Sequence, residues 1–167
     1  MEKQVDVLII GAGISGIGLA VHLSKNCPQR KFEILERRES FGGTWDLFRY
    51  PGIRSDSDMY TLGYSFKPWV DHKSIADGST IRQYIQKTAD ENGITPHIRH
   101  GHSVTHATWS TDEACWTITA RQKQSDQPVI LKARFLYLCC GYYSYKNGHQ
   151  PEFPGQANFK GQWVHPQ

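Results

Sequence analysis

Three glycines near the amino terminus have the spacing of a phosphate-binding turn. Gly11, Gly13 and Gly16 follow an apolar run in the segment VDVLIIGAGISG and form the pattern Gly-x-Gly-x-x-Gly. In such a pattern the first glycine permits a tight strand-to-helix turn, the second leaves room for a pyrophosphate, and the third lets the helix pack closely on the sheet. The pattern predicts a dinucleotide site at the start of the following helix. An ordinary structural turn is the alternative.

A carboxylate follows at the distance where a dinucleotide site binds ribose. Glu36 ends a predicted strand, Phe32 to Leu35, and lies about 20 residues beyond the glycines. A carboxylate at this place accepts hydrogen bonds from ribose hydroxyls and repels a 2′-phosphate. FAD or NAD therefore fits this first site better than NADP. The alternative is a solvated surface glutamate.

A second glycine pair lies in a long aromatic and polar connector, residues 37–78. Gly42 and Gly43 precede Thr44 and Trp45, and two adjacent glycines again allow backbone to approach a ligand closely. This pair extends the predicted nucleotide site toward its far end. A glycine turn that holds Trp45 in a core is the alternative.

Other polar groups favour structural explanations over metal binding. Asp56 forms a compact charged group with Arg54 and Asp58, but oxygen-only metal sites use more ligands, so a solvated loop or an ion pair is expected. Cys139 and Cys140 are adjacent on a strand and point to opposite faces, which favours reduced thiols. We expect solvent-facing or hydrogen-bonded side chains for the four clustered histidines: His97, His100, His102 and His106. No metal site is predicted.

Two helices are predicted from hydrophobic spacing. The first spans Ile14 to Asn26, directly after the glycine turn, and Pro28 closes it. The second spans Thr80 to Asn92, with Gly93 as its stop. Its apolar face comprises Ile81, Tyr84, Ile85, Thr88 and Ala89.

Beyond Ile98 the apolar period becomes two, which is typical of strands. The predicted strands are Val104–Trp109, Cys115–Ala120, Val129–Ala133 and Phe135–Cys140. The last is continuously apolar, which predicts a strand buried on both faces of a parallel sheet. The predicted fold class is α/β: a Rossmann-like domain in three layers, with a central parallel sheet, helices and a flanking antiparallel β-meander.

Composition excludes several classes of protein. The chain has 167 residues, a net charge of +3 and scattered basic residues, which is no nucleic-acid-binding footprint. No apolar segment approaches the roughly 20 residues needed to cross a bilayer. The four cysteines show no C-x-x-C spacing. We expect a cytoplasmic protein without a nucleic-acid partner or a membrane segment, and oligomeric state is not indicated.

Along its whole length the chain resembles flavin-dependent monooxygenases of the Baeyer–Villiger type, including the mycobacterial group that activates the prodrug ethionamide. The resemblance is carried by four segments: GAGISG, ERRESFGGTWDLFRYPGIRSDSDMYTLG, CCGYYSY and PEFPGQANFKGQWVHPQ. Phe159, Gly161 and His165 match the first three fixed positions of the family fingerprint Phe-x-Gly-x-x-x-His-x-x-x-Trp-(Pro or Asp). The sequence ends at Gln167, before the position of the tryptophan.

The resemblance implies a bound FAD and a second cofactor, NADP(H), held by a later glycine motif. It implies that residues 1–150 are the amino-terminal part of an FAD-binding domain, and that residues 151–167 begin a linker to a missing NADPH-binding domain. Asp56 would lie beside the nicotinamide as the candidate catalytic residue. The implied cofactor-binding residues are Gly11, Gly13, Gly16, Glu36, Gly43, Thr44, Trp45 and Asp56.

The implied reaction uses NADPH and O₂. NADPH reduces the flavin, and the reduced flavin captures O₂ as a C4a-peroxide that attacks a ketone carbonyl or a sulfur atom. The 167 residues alone are expected to be inactive. Alternatives are an N- or S-oxygenating monooxygenase, a flavin dehydrogenase and a non-catalytic FAD-binding module. A disulfide reductase is disfavoured because Gly42 to Asp46 contains no cysteine pair.

Overall fold

A six-stranded mixed sheet organises the fold. This computed structural model describes residues 3–123, 125 and 127–166; Gln167, the last residue of the predicted linker, lies outside them. Across the sheet the strand order is β3-β2-β1-β6-β5-β4, with β3, β2, β1 and β6 parallel and β6, β5 and β4 antiparallel. The strands are β1 (Lys3–Ile10), β2 (Phe32–Leu35), β3 (Ile98–Arg99), β4 (His102–Ser110), β5 (Cys115–Gln122) and β6 (Pro128–Leu138).

Two longer helices match the sequence predictions. The α-helices of the described chain are α1 (Ile14–Asn26), α2 (Thr44–Leu47), α3 (Met59–Leu62) and α4 (Gly78–Glu91). Helix α1 has the predicted bounds, whereas α4 begins two residues earlier and ends one residue earlier than predicted. The predicted apolar face of α4 is buried. After α4 the chain turns at Gly93, whose φ of +66° favours glycine.

Two apolar cores lie on opposite faces of the parallel strands. On one face, Val7, Ile9 and Ile34 pack with residues of α1 and α4 such as Ile17 and Ile81. On the other face, the core contains Leu8, Ile10, Leu35, Ile118, Ala120, Leu131 and Ala133. The second core joins β1 and β2 to the meander strands, so helices, parallel sheet and meander form three layers. This confirms the predicted Rossmann-like α/β fold.

Strand β6 differs from its prediction in two ways. The two predicted strands, Val129–Ala133 and Phe135–Cys140, form one strand that pairs with β5 in its first half and with β1 further along. The prediction of burial on both faces is wrong: Phe135 is 61% exposed and Leu138 is 73% exposed. The helices of the described chain pack over β1 and β2 and leave this end of β6 uncovered.

The connector between β2 and α4 has little regular structure but is firmly packed. It contains α2 and α3, each four residues long. The hydroxyl of Tyr64 donates to the carbonyl oxygen of Ile14 at 2.6 Å. The hydroxyl of Tyr84 accepts from the backbone N–H of Tyr64 at 2.8 Å and donates to the carbonyl oxygen of Lys67 at 2.6 Å. Aromatic side chains thus fix the connector on α1 and α4.

In the part of the chain that the structure describes, no helix is long and apolar enough to span a membrane.

Candidate nucleotide-binding site

A cleft of about 250 Å³ lies at the carboxyl ends of β1, β2 and β6. Ligands of open α/β sheets bind at this edge because strand-to-helix turns present unpaired backbone N–H groups there. Six of the eight cofactor-binding residues that the resemblance implies line the cleft, together with Gly42: Gly11, Gly13, Glu36, Gly43, Thr44 and Trp45. Gly16 and Asp56 are not among its lining residues.

The three glycines of the first turn have different neighbours. Gly11 has a φ of +103°, and a Cβ there would lie 2.4 Å from the carbonyl oxygen of Cys139. A Cβ on Gly16 would lie 2.0 Å from the carbonyl oxygen of Gly11. On Gly13, by contrast, a Cβ would meet only Gly43, with its nearest atom at 3.5 Å. Gly11 and Gly16 are therefore required by the fold, whereas Gly13 keeps the cleft open.

The two glycine turns contact each other. The backbone N–H of Gly42 donates to the carbonyl oxygen of Ala12 at 3.0 Å. Gly43 has a φ of +60°, and a Cβ on it would lie 3.0 Å from the Cα of Gly13. Backbone from both turns therefore reaches one side of the cleft without intervening side chains, as close approach of a pyrophosphate requires.

Glu36 lies in the wall of the cleft and is only 7% exposed. Its Oε2 accepts from the backbone N–H of Ala12 at 2.9 Å, and its Oε1 accepts from that of Arg38 at 2.9 Å. Each carboxylate oxygen has two lone-pair positions, so both can accept a further hydrogen bond. The alternative of a solvated surface glutamate is wrong, because the carboxylate is buried and hydrogen-bonded in the cleft wall.

Another part of the cleft wall consists of residues that the sequence analysis did not assign to the nucleotide site. It is formed by His102, Ser103 and Val104 at the start of β4 and by residues 139–141. The backbone N–H of His102 donates to the carbonyl oxygen of Glu36 at 2.9 Å, which joins β4 to the end of β2. No local sequence signal marks this wall, because contacts between distant strands build it.

Two hydrogen bonds hold the His102 ring in place. Arg99 Nη2 lies 3.1 Å from His102 Nε2, and a guanidinium can only donate, so Nε2 is the acceptor. The proton is therefore on Nδ1, which donates to the carbonyl oxygen of His100 at 2.6 Å. His97 instead stacks on Phe32. Among the described residues, no cluster of three or more His, Cys, Asp or Glu could hold a metal ion.

Arg37 and Tyr145 cover one end of the cleft. The guanidinium carbon of Arg37 lies 4.0 Å from the centre of the Tyr145 ring, within the range of a cation–π contact. Burial is the main cause that raises the pKa of Tyr145, and burial likewise raises the pKa values of Cys139 and Cys140 nearby. At neutral pH these groups therefore present protonated hydroxyl and thiol groups.

Asp56 is exposed and lies away from the cleft lining. It is close to Tyr143, whose pKa is raised by the hydrogen bond and charge of Tyr142 and, more weakly, by the Asp56 carboxylate. Asp58 caps α3 by accepting from the backbone N–H of Thr61 at 2.8 Å. The role of Asp56 stays a prediction.

The fold is Rossmann-like, and its cleft lies where such folds bind dinucleotides. Residues 9–71 match the family model of the NAD(P)-binding Rossmann-like domain. This match covers the first glycine turn, Glu36 and the second glycine pair.

Known proteins similar to the chain extend the comparison to its full length. The chain is 58% identical to a probable FAD-binding monooxygenase, AlmA, of an Acinetobacter species, and 55% identical to the FAD-containing monooxygenase EthA of Mycolicibacterium smegmatis. Both matches cover 100% of this chain but only 33% and 34% of the relatives. The chain thus spans about a third of the length of these relatives.

Solved structures agree with this comparison. Cyclohexanone monooxygenase from Rhodococcus sp. Phi1 bound to NADP⁺ matches with a TM-score of 0.78 and 27% identity, over 99% of this chain and 31% of that one. An oxidised steroid monooxygenase bound to NADP matches with a TM-score of 0.76 and 29% identity, over 93% and 29%. Over its whole length the chain is similar to the amino-terminal third of FAD-containing monooxygenases, which confirms the resemblance.

Proposed function

We propose that this chain is the FAD-binding portion of an NADPH- and O₂-dependent flavoprotein monooxygenase. One observation carries the proposal: the two glycine turns and the Glu36 carboxylate meet in a single cleft. The similar proteins named as FAD-binding or FAD-containing monooxygenases support the choice of FAD.

The residues of the cleft fit the parts of FAD. Backbone at Gly11, Gly13 and Gly43 would hold the pyrophosphate, and Glu36 would accept the hydroxyls of the adenosine ribose. Thr44 and Trp45 line the cleft just beyond the second turn and would contact the flavin half. Bound FAD would supply hydride acceptance from NADPH and the activation of O₂, while this chain supplies orientation and charge.

The substrate class belongs to the complete protein. We propose a ketone, oxidised by Baeyer–Villiger oxygen insertion, or a sulfur compound. The similarity to a cyclohexanone monooxygenase supports the ketone. Oxygenation of nitrogen or sulfur alone is the second candidate. A flavin dehydrogenase or a non-catalytic FAD module has less support, because the similar proteins are named as monooxygenases.

The proposal assigns a role to each part of the chain. Residues 1–150 would form the amino-terminal part of the FAD domain, and residues 151–167 would begin the linker to an NADPH-binding domain. Between Pro151 and Pro166 the described chain is mostly exposed, with Trp163 packed against Phe153 and Phe159. Asp56 would act on the nicotinamide side of the flavin. We also propose a cytoplasmic location, where the adjacent thiols of Cys139 and Cys140 stay reduced, and no turnover by these 167 residues alone.

The ribose assignment is tested by titrating the purified chain with FAD and with FMN, which lacks the adenosine. Glu36→Gln should weaken FAD binding about ten-fold or more, because hydrogen bonds to a charged acceptor contribute about 1.5–3 kcal/mol. The affinity for FMN should stay unchanged. Quenching of flavin fluorescence measures both affinities.

Glu39→Gln is the matched control. Glu39 lies three positions further on, is exposed, and pairs with Lys123 Nζ at 3.2 Å. Its replacement should leave both affinities unchanged. Equal losses of FAD and FMN in the Glu36 variant would contradict the ribose assignment, and a parent chain that does not bind FAD would contradict the proposed function.

A further inference from the structure

A buried carboxylate next to the second glycine turn binds three arginines. Asp46 of α2 is fully buried. Its Oδ2 accepts from Ser40 Oγ at 2.5 Å and lies 2.8 Å from Arg38 Nη1. Its Oδ1 accepts from Arg49 Nη2 at 2.6 Å and from Arg82 Nη1 at 3.2 Å. Burial alone would raise the pKa of Asp46, but the hydrogen bonds from Ser40 and Arg82 and the nearby guanidinium groups together lower it.

These partners come from three separate segments. Arg38 and Ser40 belong to the loop after β2, Arg49 follows α2, and Arg82 lies on α4. The carbonyl oxygen of Asp46 adds two further bonds, from Arg49 Nε at 3.0 Å and from Arg38 Nη2 at 3.3 Å. One residue therefore ties the β2 loop and the chain after α2 to α4.

The same residue contacts the second glycine turn. The backbone N–H of Asp46 donates to the carbonyl oxygen of Gly43 at 3.1 Å. A Cβ on Gly42 would lie 3.2 Å from the Cβ of Asp46. On its other side the turn contacts Ala12 and Gly13 of the first turn. The turn is thus held between Asp46 and the first glycine turn.

The cluster also carries excess positive charge. Three guanidinium groups surround one carboxylate, so positive charge remains after Asp46 is neutralised. Without the carboxylate, the three guanidinium groups would repel one another at this distance. Their convergence on one point therefore depends on the Asp46 carboxylate.

We propose that Asp46 is a positioning residue for FAD: with its arginine partners it holds the Gly42–Gly43 turn against the first glycine turn. The inference rests on the proposed function, because it assumes that a pyrophosphate occupies the cleft. Asp46 touches no part of the dinucleotide and acts through the turn and the arginines.

Whether Asp46→Asn weakens or tightens FAD binding distinguishes a positioning role of Asp46 from a purely electrostatic effect of its carboxylate. The substitution is nearly isosteric and removes one negative charge. If Asp46 acted only through its own charge, its removal would tighten binding of the dianionic pyrophosphate. If it positions the turn and the arginines, FAD affinity should fall about ten-fold, as measured by fluorescence quenching. Unchanged or tighter FAD binding would overturn the proposal.

Amide hydrogen exchange of the FAD-free chain gives a readout independent of the cofactor. In Asp46→Asn, exchange should become faster at Gly42 and Leu47, whose N–H groups donate to Ala12 and Gly43. Exchange in β1 should not change. Asp58→Asn is the control from the same connector, because Asp58 caps α3 and should affect only the amide of Thr61. Unchanged exchange at Gly42 and Leu47 would overturn the proposal.

If exchange in β1 also becomes faster, the Asp46→Asn variant has lost its fold. The variant Arg82→Gln is then tested in its place. That change removes only the link to α4 and leaves Arg38 and Arg49 on the carboxylate. FAD affinity should then fall about three-fold, with faster exchange at Gly42; no change in either would overturn the proposal. Failure of the parent chain to bind FAD would contradict the proposed function instead, while the exchange pattern would still decide whether Asp46 holds the turn.

Discussion

At the residue scale, two glycines of one turn serve different purposes. Gly11 has a positive φ and lies against the carbonyl oxygen of Cys139, so the fold itself requires glycine at this position. Gly13 has ordinary extended backbone and space for a methyl group in the ligand-free cleft. The glycine pattern that predicts the site therefore combines fold requirements with one position that a ligand requires.

Matched alanine substitutions separate these two requirements. Gly11→Ala should lower the free energy of unfolding by about 2 kcal/mol or more, because it combines backbone strain with a steric clash. Gly13→Ala should cost less than about 1 kcal/mol but reduce FAD affinity at least ten-fold, because the methyl group occupies the pyrophosphate position. Urea unfolding of the FAD-free chain and FAD titration measure the two effects. Parent-like FAD binding by Gly13→Ala would refute the assignment of Gly13.

At the element scale, the connector between β2 and α4 is firmly packed although it contains little regular secondary structure. The hydroxyl of Tyr84 on α4 makes two hydrogen bonds to backbone of the connector, and the ring of Tyr64 packs on the rings of Tyr84 and Phe66. These contacts hold the connector on the helical face while its earlier part forms the second glycine turn.

Tyrosine-to-phenylalanine substitutions test this packing. Tyr84→Phe removes both hydrogen bonds and leaves the partly buried N–H of Tyr64 without its acceptor, so it should lower the free energy of unfolding by about 1–3 kcal/mol. Tyr60→Phe removes a hydrogen bond to Asp71 at an exposed site and should have little effect. Urea denaturation measures both. Equal stabilities of the two variants would show that the connector contributes little to the stability of the fold.

The sequence predicts elements better than it predicts the site. Helix α1 and strand β2 have their predicted bounds because glycine, proline and apolar spacing mark them locally. The sequence predicts two strands where the structure has the single strand β6, because Arg134 interrupts the apolar pattern. In the structure Arg134 is exposed, and the strand continues through it. The partners of Asp46 could not be predicted, because Arg82 lies 36 positions away on another element.

At the scale of the whole molecule, apolar side chains are exposed at the end of β6. Phe135 and Tyr137 lie on the same face as Val7 and Ile9 and are 61% and 46% exposed. A parallel sheet is ordinarily covered on both faces, so this surface resembles one that packs against further structure. In the isolated chain it favours self-association.

The double substitution Phe135→Thr/Tyr137→Thr should reduce self-association in sedimentation velocity, because threonine retains strand propensity without the apolar area. Val70→Thr is the control: it also replaces an apolar side chain, which is 92% exposed, but in the connector. The control should sediment like the parent chain. Identical sedimentation of the double variant and the parent would show that the β6 surface does not drive association.

The pairing of β6 with β1 also determines when the cleft can form. Cys140 lies 130 positions beyond Ile10, and the two residues meet at the base of the cleft. Contacts so distant in sequence close late in folding, because a long loop must first be ordered. During synthesis one edge of β1 therefore stays unpaired until β6 has been synthesised. An unpaired apolar strand is prone to aggregate. Because residues of both strands line the cleft, nucleotide capture can follow only this pairing, so the first glycine turn becomes functional only after more than a hundred further residues have been synthesised.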